Sequence, residues 1–276
     1  MLRVFITGSS DGLGSLTAQR LVRHGHQVML HARNSQRAQD ALAACPGAAG
    51  CLVGDLSDRA QILKLVHEIN QEGPFDVVVH NAGLYTGGYR RTQEGWPSIF
   101  AVNTLAPYIL SCLIEPRPLR HVFISTIFPN AADPSLYDLT WRARGEQDFP
   151  DIQAYCDTKL HVCLMAAALA RRWPSVRANS LDPGWVATKL GGWNATGDLE
   201  AGIATYITLI EGKGDTNAVS GRYWRHSKVQ PLPMAEVGDV AVQERLLGEL
   251  ERITRIRASD KVIPRFAPSP LEACAK

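Results

Sequence analysis

The stretch VFITGSSDGLGSL, residues 4–16, places three glycines between an apolar run and an amphipathic run. The first run is typical of a β-strand and the second of a helix. Gly8, Gly12 and Gly14 would allow a tight turn and would bring backbone amides close to a pyrophosphate at the positive end of the helix. The spacing GxxxGxG differs from the commoner GxGxxG, so a plain strand-to-helix turn is the alternative. Its position between a clean strand and a clean helix favours the nucleotide-binding turn.

Short apolar runs alternate with longer helical patterns along the rest of the chain. The strand-like runs are RVFITG, QVMLHA, GCLVGD, FDVVVHN and RHVFIST, then residues 175–181 and SGRYWR, and helices are predicted near residues 94–113 and 151–172. Nearly continuous apolar strands are typical of parallel strands covered on both faces. We therefore predict a single-domain α/β fold, with a doubly wound parallel sheet of about seven strands and helices on both faces.

Composition and charge argue against several classes of function. Twenty-nine basic and 27 acidic residues give a formal net charge of +2, and the arginines are scattered, so we expect no binding to nucleic acid. The chain opens directly on a strand and has no long apolar run, so we expect a cytoplasmic protein without a membrane segment. The six cysteines form no CxxC pair, and His24 and His26 are expected at the surface, so no metal site is predicted.

The end of the second strand bears on the type of nucleotide. A free ribose hydroxyl usually meets Asp or Glu about 20 residues beyond the glycine turn, whereas a 2′-phosphate meets Arg. Between Val28 and Asn34 the chain has no acid, but it has Arg33. NADP(H) is therefore favoured over NAD, and a solvated loop residue is the alternative for Arg33.

With these features, the sequence resembles the short-chain dehydrogenase/reductase family, and within it the retinol-dehydrogenase-like branch. The resemblance rests on motifs that occur in the family's order: TGSSDGLG, GDLSD, HNAG, VNTLAP, FIST, YCDTK for YxxxK, and DPGWVAT. It implies one Rossmann-type NAD(P)-binding domain over residues 1–258 and an oxidoreductase that acts on a small-molecule carbonyl or alcohol.

The resemblance also implies cofactor contacts at the carboxyl ends of the strands, where ligands bind in open α/β sheets. The implied residues are Gly8, Ser10, Asp11, Gly12, Leu13, Gly14, Arg33, Asn34, Asp55, Leu56, Asn81, Ala82, Gly83, Pro183, Gly184, Val186 and Thr188. Asp55 and Leu56 would flank the adenine, and the last four residues would hold the nicotinamide end. For Asn81, support of the sheet is as strong an expectation as direct contact.

Tyr155 and Lys159 stand four residues apart and so share one face of a helix. A ketone that accepts hydride develops alkoxide charge, so its site must deliver a proton. Tyrosine has an ordinary pKa of about 10, and the charge of Lys159 is expected to lower it. The resemblance implies Tyr155 as general acid or base, Lys159 as its electrostatic partner, and Asn103 as support for a water relay.

Two neighbouring residues could supply the hydroxyl that would bind the substrate carbonyl. The family commonly has VNVSS after the fifth strand, and its second serine donates to the carbonyl. Here VFIST places Ser125 at the first position and Thr126 at the second. Threonine keeps the donor, although its branched Cβ restricts χ1. Thr126 is therefore favoured, with Ser125 as the alternative.

Three segments lie outside these motifs. Residues 127–152 form an insertion before the catalytic tyrosine, in which Tyr137 and Trp141 would either line a substrate pocket or cover helix surface. Residues 189–220 form a short substrate-side segment, and residues 259–276 are predicted to be a loose tail.

Two tryptophans that flank the segment after the sixth strand, Trp185 and Trp193, suggest an apolar substrate. The rival functions are a catalytically silent NADP(H)-binding regulator and a scaffolding role for the insertion and tail. Family members often dimerise through the fourth and fifth helices, so a homodimer is an expected partner that the insertion would obstruct.

Overall fold

The protein is described by a computed structural model that covers residues 1–126, 131–147 and 149–259. The strands are β1 Arg3–Ile6, β2 Gln27–Ala32, β3 Gly50–Val53, β4 Val77–His80, β5 Arg120–Ile124, β6 Arg177–Leu181, β7 Tyr223–Arg225 and β8 Lys228–Gln230. In this part of the chain they form one eight-stranded sheet in the order β3-β2-β1-β4-β5-β6-β7-β8. All neighbouring strands run parallel except β7 and β8.

Helices connect the parallel strands. They are α1 Gly12–Arg23, α2 Ser35–Ala44, α3 Arg59–Glu72, α4 Ser98–Phe100, α5 Ala106–Leu113, α6 Asp151–Arg172, α7 Leu199–Glu211 and α8 Val240–Thr254, and a π-helix, Ala101–Leu105, joins α4 to α5. From β1 the chain builds the sheet outward to β3 and then returns to the other side with β4. A crevice is expected beyond the carboxyl ends of β1 and β4, where such folds bind their ligands. The predicted doubly wound, Rossmann-type architecture is confirmed.

Side chains alternate between the two faces of the sheet, so each central strand contributes to two hydrophobic cores. Phe5, Val78 and Phe123 face one side, where they pack with α3, α5, α6 and α8. Val4 and Ile6 face the other side, where they pack with α1 and α7. Because both faces are covered, the strands are continuous apolar runs, as the sequence predicted.

Most predicted helices and strands lie where they were expected, and β8 is a strand that the sequence analysis did not predict. The count is eight strands rather than about seven, because β7 and β8 form a short hairpin. Its turn consists of His226 and Ser227, whose φ values are 49° and 57°. Tight hairpins that need positive φ usually carry Asn or Gly, and this turn has neither. The sequence therefore lacks the signal by which the hairpin could be predicted.

The predicted fourth and fifth helices, which would form the dimer surface, correspond to the segment from α4 to α5 and to α6. Both are covered by other parts of the chain. Residues 154–166 of α6 are all buried. Arg172 of α6 forms an ion pair with Glu244 of α8. The Tyr108 phenol of α5 donates to the Ile256 carbonyl at 2.8 Å. A homodimer through these helices would have to displace such contacts, and it stays a prediction.

The chain beyond α8 is still bound to the domain at Ser259. The indole of Trp173 donates to the Ser259 carbonyl at 2.9 Å, and Arg172 donates to the Ala258 carbonyl at 3.2 Å. Residues 260–276 of the predicted tail lie outside the described residues, as do residues 127–130 and 148 of the insertion. Among the described residues, no helix is long and apolar enough to cross a membrane.

Four buried histidines are held in the neutral form. Loss of hydration lowers the pKa of His31 to about 4 and the pKa values of His121 and His161 to about 3. It also lowers the pKa of His80 well below its ordinary value. The folded state therefore resists protonation at positions where an unfolded chain would accept it.

We expect the free energy of unfolding to decrease as the pH falls below about 6.5. The unfolded chain binds protons on these histidines in that range, whereas the folded chain does not until the pH approaches their lowered pKa values. Each histidine contributes a slope of at most about 1.4 kcal/mol per pH unit. Urea unfolding at about pH 7.5, 6.5 and 5.5 would measure the total slope. The control His67→Gln, at an exposed position on α3, should keep that slope, and a free energy independent of pH would contradict the prediction.

Candidate active site

The turn between β1 and α1 packs directly on the turn after β4. Gly8 has φ +60°, and a Cβ there would lie 2.8 Å from the Cα of Ala82. A Cβ on Gly14 would lie 2.5 Å from Nδ2 of Asn81. Gly12, at the start of α1, has φ +55°. All three glycines of the motif are therefore required by the geometry of the turn.

The side chain of Asn81 joins these two turns. Its Nδ2 donates to the carbonyls of Thr7 and Gly8, each at 2.9 Å. Its Oδ1 accepts from the buried phenol of Tyr206 at 2.9 Å. The Ala82 amide adds a hydrogen bond to the Thr7 hydroxyl at 3.0 Å. Both amide hydrogens of Asn81 are therefore engaged within the protein, as expected of a residue that supports the sheet. Direct contact of Asn81 with a cofactor stays a prediction.

His31 of β2 fixes the glycine turn from the neighbouring strand. Its Nδ1 accepts from the Gly8 amide at 3.0 Å, so Nε2 carries the ring hydrogen and donates to the Gly54 carbonyl at 2.9 Å. Ser9 accepts from the His31 amide at 2.9 Å. The sequence reasoning missed this residue, whose signal is a polar side chain within an apolar strand.

Arg37, another residue that the sequence reasoning missed, reaches the glycine turn from α2. Its Nε and Nη2 lie 3.1 and 3.0 Å from the Ser10 hydroxyl, and Nη2 lies 2.5 Å from the Asp11 carboxylate. Asn34 caps α2 by accepting from the Arg37 amide at 3.0 Å. Arg33, the predicted basic residue, is exposed. A basic residue in the first turn after the second strand is the signal that would have identified Arg37.

Asp55 and Leu56, the two predicted cofactor contacts in the turn after β3, have different surroundings. The Asp55 carboxylate accepts from the amide and hydroxyl of Ser57 at 2.8 and 2.7 Å. Leu56 is buried and packs in the core with α3 and α5. Leu13 of the glycine turn is partly buried against the opposite core. Any cofactor contact of Leu56 would therefore come from its backbone.

The turn after β6 lies beside the glycine turn. A Cβ on Gly12 would lie 3.7 Å from the Thr188 side chain. Pro183 and Val186 are buried, and Gly184 has φ +84°. The residues predicted at the two ends of a dinucleotide are thus brought to one edge of the sheet, although their roles as cofactor contacts stay predictions.

Helix α6 places Tyr155 and Lys159 one turn apart in a buried site. Tyr155 is 8% exposed and Lys159 is 5% exposed. The Lys159 ammonium donates to the Ile124 carbonyl at 2.8 Å and lies 5.4 Å from the centroid of the Tyr155 ring. A Cβ on Gly83 would lie 3.5 Å from the same ammonium, so the turn after β4 borders it as well.

Burial has the largest effect on the protonation of this pair. It raises the pKa of Tyr155 above its ordinary value, and neighbouring Asp182 and Tyr85 raise that pKa further. It lowers the pKa of Lys159 to about 8. The net pKa of Tyr155 is therefore raised rather than lowered, and the lowering effect expected of Lys159 stays a prediction. The ammonium is bound to a backbone carbonyl, and loss of hydration outweighs its attraction for a phenolate.

Asn103 lies in the π-helix and is buried. Its Oδ1 accepts from the Leu84 amide at 2.8 Å, and its Nδ2 donates to the Leu84 carbonyl at 2.9 Å and to the Thr158 hydroxyl at 3.0 Å. Asn103 therefore fastens the turn after β4 to Thr158, which lies between Tyr155 and Lys159 on α6. π-Helical turns are frequent at functional sites, but the predicted water relay stays a prediction.

The two candidate hydroxyls point to different partners. Ser125 donates to the Lys159 carbonyl at 3.2 Å, within the packing of β5 against α6. The Thr126 side chain lies beside the phenol of Tyr155 and moderates its raised pKa. The Thr126 carbonyl accepts from the Tyr223 phenol at 2.8 Å, which holds this residue in place. The geometry favours Thr126, as the sequence did, for the hydroxyl beside Tyr155.

Aromatic rings surround the amino-terminal end of α6. Tyr85 packs edge-on against Tyr155, with ring centroids 4.7 Å apart. Tyr89 and Trp141 both pack against Phe149, at 5.1 and 4.8 Å. The loop after β4 and the insertion thus meet in one apolar cluster that includes Tyr155.

The two aromatic residues predicted in the insertion have different surroundings. Trp141 is 3% exposed, whereas Tyr137 is 77% exposed. The Arg144 guanidinium lies 3.4 Å from the centroid of the Trp141 ring and 3.1 Å from the Asp157 carboxylate of α6. Trp141 therefore belongs to the cluster beside Tyr155, and Tyr137 does not.

His24, His26 and Glu211 form a cluster at the carboxyl-terminal ends of α1 and α7, with ligand-type atoms within 4.8 Å of one another. The His26 Nδ1 accepts from the Leu2 amide at 3.1 Å, so its Nε2 donates to Glu211 at 3.1 Å. Lys213 lies 2.5 Å from the same carboxylate. A metal would have to displace that hydrogen and that ammonium, so we interpret the cluster as an ion-pair contact between helices. The sequence reasoning missed it because Glu211 is distant along the chain.

Comparisons with known proteins agree with this arrangement. Residues 3–117 match the family described as short chain dehydrogenase. The short-chain dehydrogenase chyC of Penicillium rubens is 45% identical over 257 residues, which cover 93% of this chain and 99% of that protein. Human retinol dehydrogenase 14 is 30% identical over 273 residues, which cover 83% of this chain and 79% of that protein. The chain therefore belongs to the short-chain dehydrogenase/reductase family and has retinol-dehydrogenase-like relatives, as its motifs predicted.

A solved structure shows the same fold at lower identity. The crystal structure of a blue fluorescent protein from a metagenomic library, in complex with NADPH, has a TM-score of 0.64 and 21% sequence identity, and the match covers 80% of this chain and 94% of that chain. At this identity the likeness concerns the fold alone. Together, the family and the fold define an oxidoreductase of the class that uses a nicotinamide cofactor and acts on small molecules.

Proposed function

We propose that this chain is an NADP(H)-dependent oxidoreductase that interconverts a carbonyl and an alcohol on a small, apolar molecule in the cytoplasm. The observation that carries the proposal is the buried grouping of the Thr126 hydroxyl, the Tyr155 phenol and the Lys159 ammonium at the carboxyl end of β5. Such a grouping supplies a hydrogen-bond donor, a proton donor and a positive charge. Reduction of a carbonyl needs all three, because negative charge develops on its oxygen.

The first turn of α1 suits a pyrophosphate. Asp11 occupies the N-cap position but makes no hydrogen bond to the helix amides. By contrast, the N-cap side chains of α2, α3, α7 and α8 all accept such bonds. The first amides of α1 therefore lack a side-chain acceptor, and a phosphate is the ligand that helix N-termini favour.

The remaining contacts to a dinucleotide would come from the turns beside this one. Pro183, Gly184, Val186 and Thr188 would hold the nicotinamide end. Asp55, the Leu56 backbone, Ala82 and Gly83 would lie along the adenosine. When bound, the nicotinamide supplies or accepts the hydride, and the protein's own groups handle the proton.

The charge near the glycine turn supports a preference for NADP(H). No Asp or Glu lies at the end of β2, where a free ribose hydroxyl would usually find one. Arg33 follows this strand directly, and Arg37 extends from α2 to the Ser10 hydroxyl. We propose that these two arginines bind the 2′-phosphate, with Arg37 as the better-positioned of the two.

Tyr155 would act as the proton donor in the reductive direction. Its raised pKa keeps the phenol protonated near neutral pH. Thr126 would donate a hydrogen bond to the substrate carbonyl, and Lys159 would provide positive charge near the phenol. Because burial lowers the pKa of Lys159 to about 8, this charge is expected to diminish as the pH rises above that value.

The surroundings of Tyr155 support an apolar substrate. Tyr85 packs edge-on against its ring, and Tyr89, Trp141 and Phe149 continue the same cluster. Aromatic walls of this kind favour flat or apolar groups through burial and ring contacts. We therefore expect ketones, aldehydes or quinones with apolar substituents.

A catalytically silent NADP(H)-binding regulator is the second candidate. One observation favours it, because the Lys159 ammonium binds the Ile124 carbonyl rather than the Tyr155 phenol. An NADPH-depletion assay with a panel of aldehydes, ketones and quinones separates the two functions. Tight NADPH binding without consumption would favour the regulator.

Replacing Tyr155 by Phe should abolish most turnover while NADPH still binds. The ring and its packing against Tyr85 remain, but the proton donor is lost, so the rate of NADPH oxidation should fall by about 10²-fold to 10⁴-fold. Stopped-flow or steady-state absorbance gives the rate, and calorimetry gives the NADPH affinity. Full turnover in Tyr155→Phe would rule out the proposed mechanism.

The two candidate hydroxyls can be separated by a matched pair of variants. Thr126→Val keeps the shape and removes the hydroxyl, so kcat should fall by about 10²-fold to 10³-fold, the cost of one donor to the reacting oxygen. Ser125→Ala removes a hydroxyl that bonds to the helix backbone, so it should lower thermal stability more than kcat. Both variants are assayed for kcat and melting temperature, and the reverse pattern would assign the role to Ser125.

Arg37→Gln should weaken NADPH binding by about tenfold and leave NADH binding nearly unchanged, because a charge-assisted contact to the extra phosphate is lost. Arg33→Gln should have a smaller effect in the same direction. Arg23→Gln, which removes an exposed charge from the other end of α1, is the control. Calorimetric titration with both nucleotides measures the ratio of affinities, and an equal loss for NADPH and NADH would argue against a role in phosphate recognition.

A further inference from the structure

Three segments around the glycine turn meet at one carboxylate. The Asp11 carboxylate of the glycine turn lies 2.5 Å from Arg37 of α2 and 3.4 Å from Lys189, which follows the turn after β6. Both cations approach the same oxygen, Oδ2. Asp11 thus links the two sides of the crevice that the proposed nucleotide would occupy.

The position of Asp11 is unusual for an N-cap residue. An aspartate at this position normally accepts from the first amides of its own helix, but Asp11 makes no such bond. Its side chain turns instead toward the two cations. The carboxylate therefore serves the surroundings of the site rather than the stability of α1.

Arg37 does not depend on Asp11 for its position. Two of its guanidinium nitrogens also contact the Ser10 hydroxyl, at 3.1 and 3.0 Å. The Arg37 amide is fixed by the Asn34 cap of α2. Removing the Asp11 charge would therefore leave the guanidinium in place and free it for another anion.

We propose that the Asp11 carboxylate competes with the phosphate of NADP(H) for Arg37 and Lys189. By occupying these two cations, it limits the affinity of the protein for NADP(H) and the preference of the protein for NADP(H) over NAD(H). This inference rests on the proposed function, since it concerns the same nucleotide site. An arriving phosphate on the ribose would take over Arg37, and Asp11 would be left as a repelling charge beside it.

The exchange is energetically feasible because the ion pairs are partly exposed. The Arg37, Asp11 and Lys189 side chains are 28%, 41% and 70% exposed. Pairs with this degree of exposure contribute little to stability, because water and salt screen them. A phosphate group carries more charge than one carboxylate and offers three acceptor oxygens, so it can displace Asp11 from the guanidinium.

The test compares the wild-type chain with Asp11→Asn by calorimetric titration with NADPH and with NADH. We expect Asp11→Asn to bind NADPH about threefold to tenfold more tightly, the range of one or two exposed ion pairs. The gain for NADH should be smaller, so the ratio of affinities should rise. Asp40→Asn removes the same charge from an exposed position on α2 and should change neither affinity.

A double variant identifies the partner. In an Arg37→Gln background, Asp11→Asn should lose most of its gain for NADPH, because the released guanidinium is absent. Weaker or unchanged NADPH binding by Asp11→Asn, or a full gain without Arg37, would overturn the inference while leaving the proposed function standing. If neither the wild type nor Asp11→Asn bound either nucleotide, both the inference and the proposed function would be overturned.

Discussion

The contact between the glycine turn and the turn after β4 is the constraint on which the candidate site depends. Gly8 has no side chain, so Ala82 approaches to a distance that a Cβ would forbid, and Asn81 bonds across the gap. Because β1 and β4 are neighbours, this contact determines how the two turns stand relative to each other. Gly83 then borders the Lys159 ammonium, so the same contact relates the glycine turn to Tyr155 and Lys159.

Helix α6 is enclosed to a degree that changes the chemistry of its residues. The insertion covers one part of it, and α8 covers another. Enclosure also buries Asp157, whose carboxylate is compensated by Arg144 and by Gln153 at 3.1 and 2.8 Å. A buried carboxylate is tolerated when such partners replace water. The low-dielectric surroundings strengthen every remaining interaction of Tyr155 and Lys159.

The fold could be predicted because its sequence signals are local. The residues of the site that were not predicted depend on contacts with residues distant along the chain. The apolar strands, the glycine turn and the pair on α6 are each visible in a short stretch of sequence. Arg37, by contrast, matters because it reaches Ser10, and His31 because it accepts from Gly8. The direction of a side chain across a turn cannot be read from spacing, and the turn between β7 and β8 carries no glycine to mark it.

The raised pKa of Tyr155 has a physical explanation with consequences for the proposed reaction. A positive charge one helical turn away favours a phenolate, whereas burial of the phenol favours its neutral form, and the larger effect decides the net pKa. Here the ammonium is bound by a carbonyl, and Asp182, a buried carboxylate, adds negative charge to the surroundings. A phenolate is therefore disfavoured and a neutral phenol is retained. Under the proposed function, the phenol would therefore enter the reductive reaction already protonated, with its proton available to the developing alkoxide.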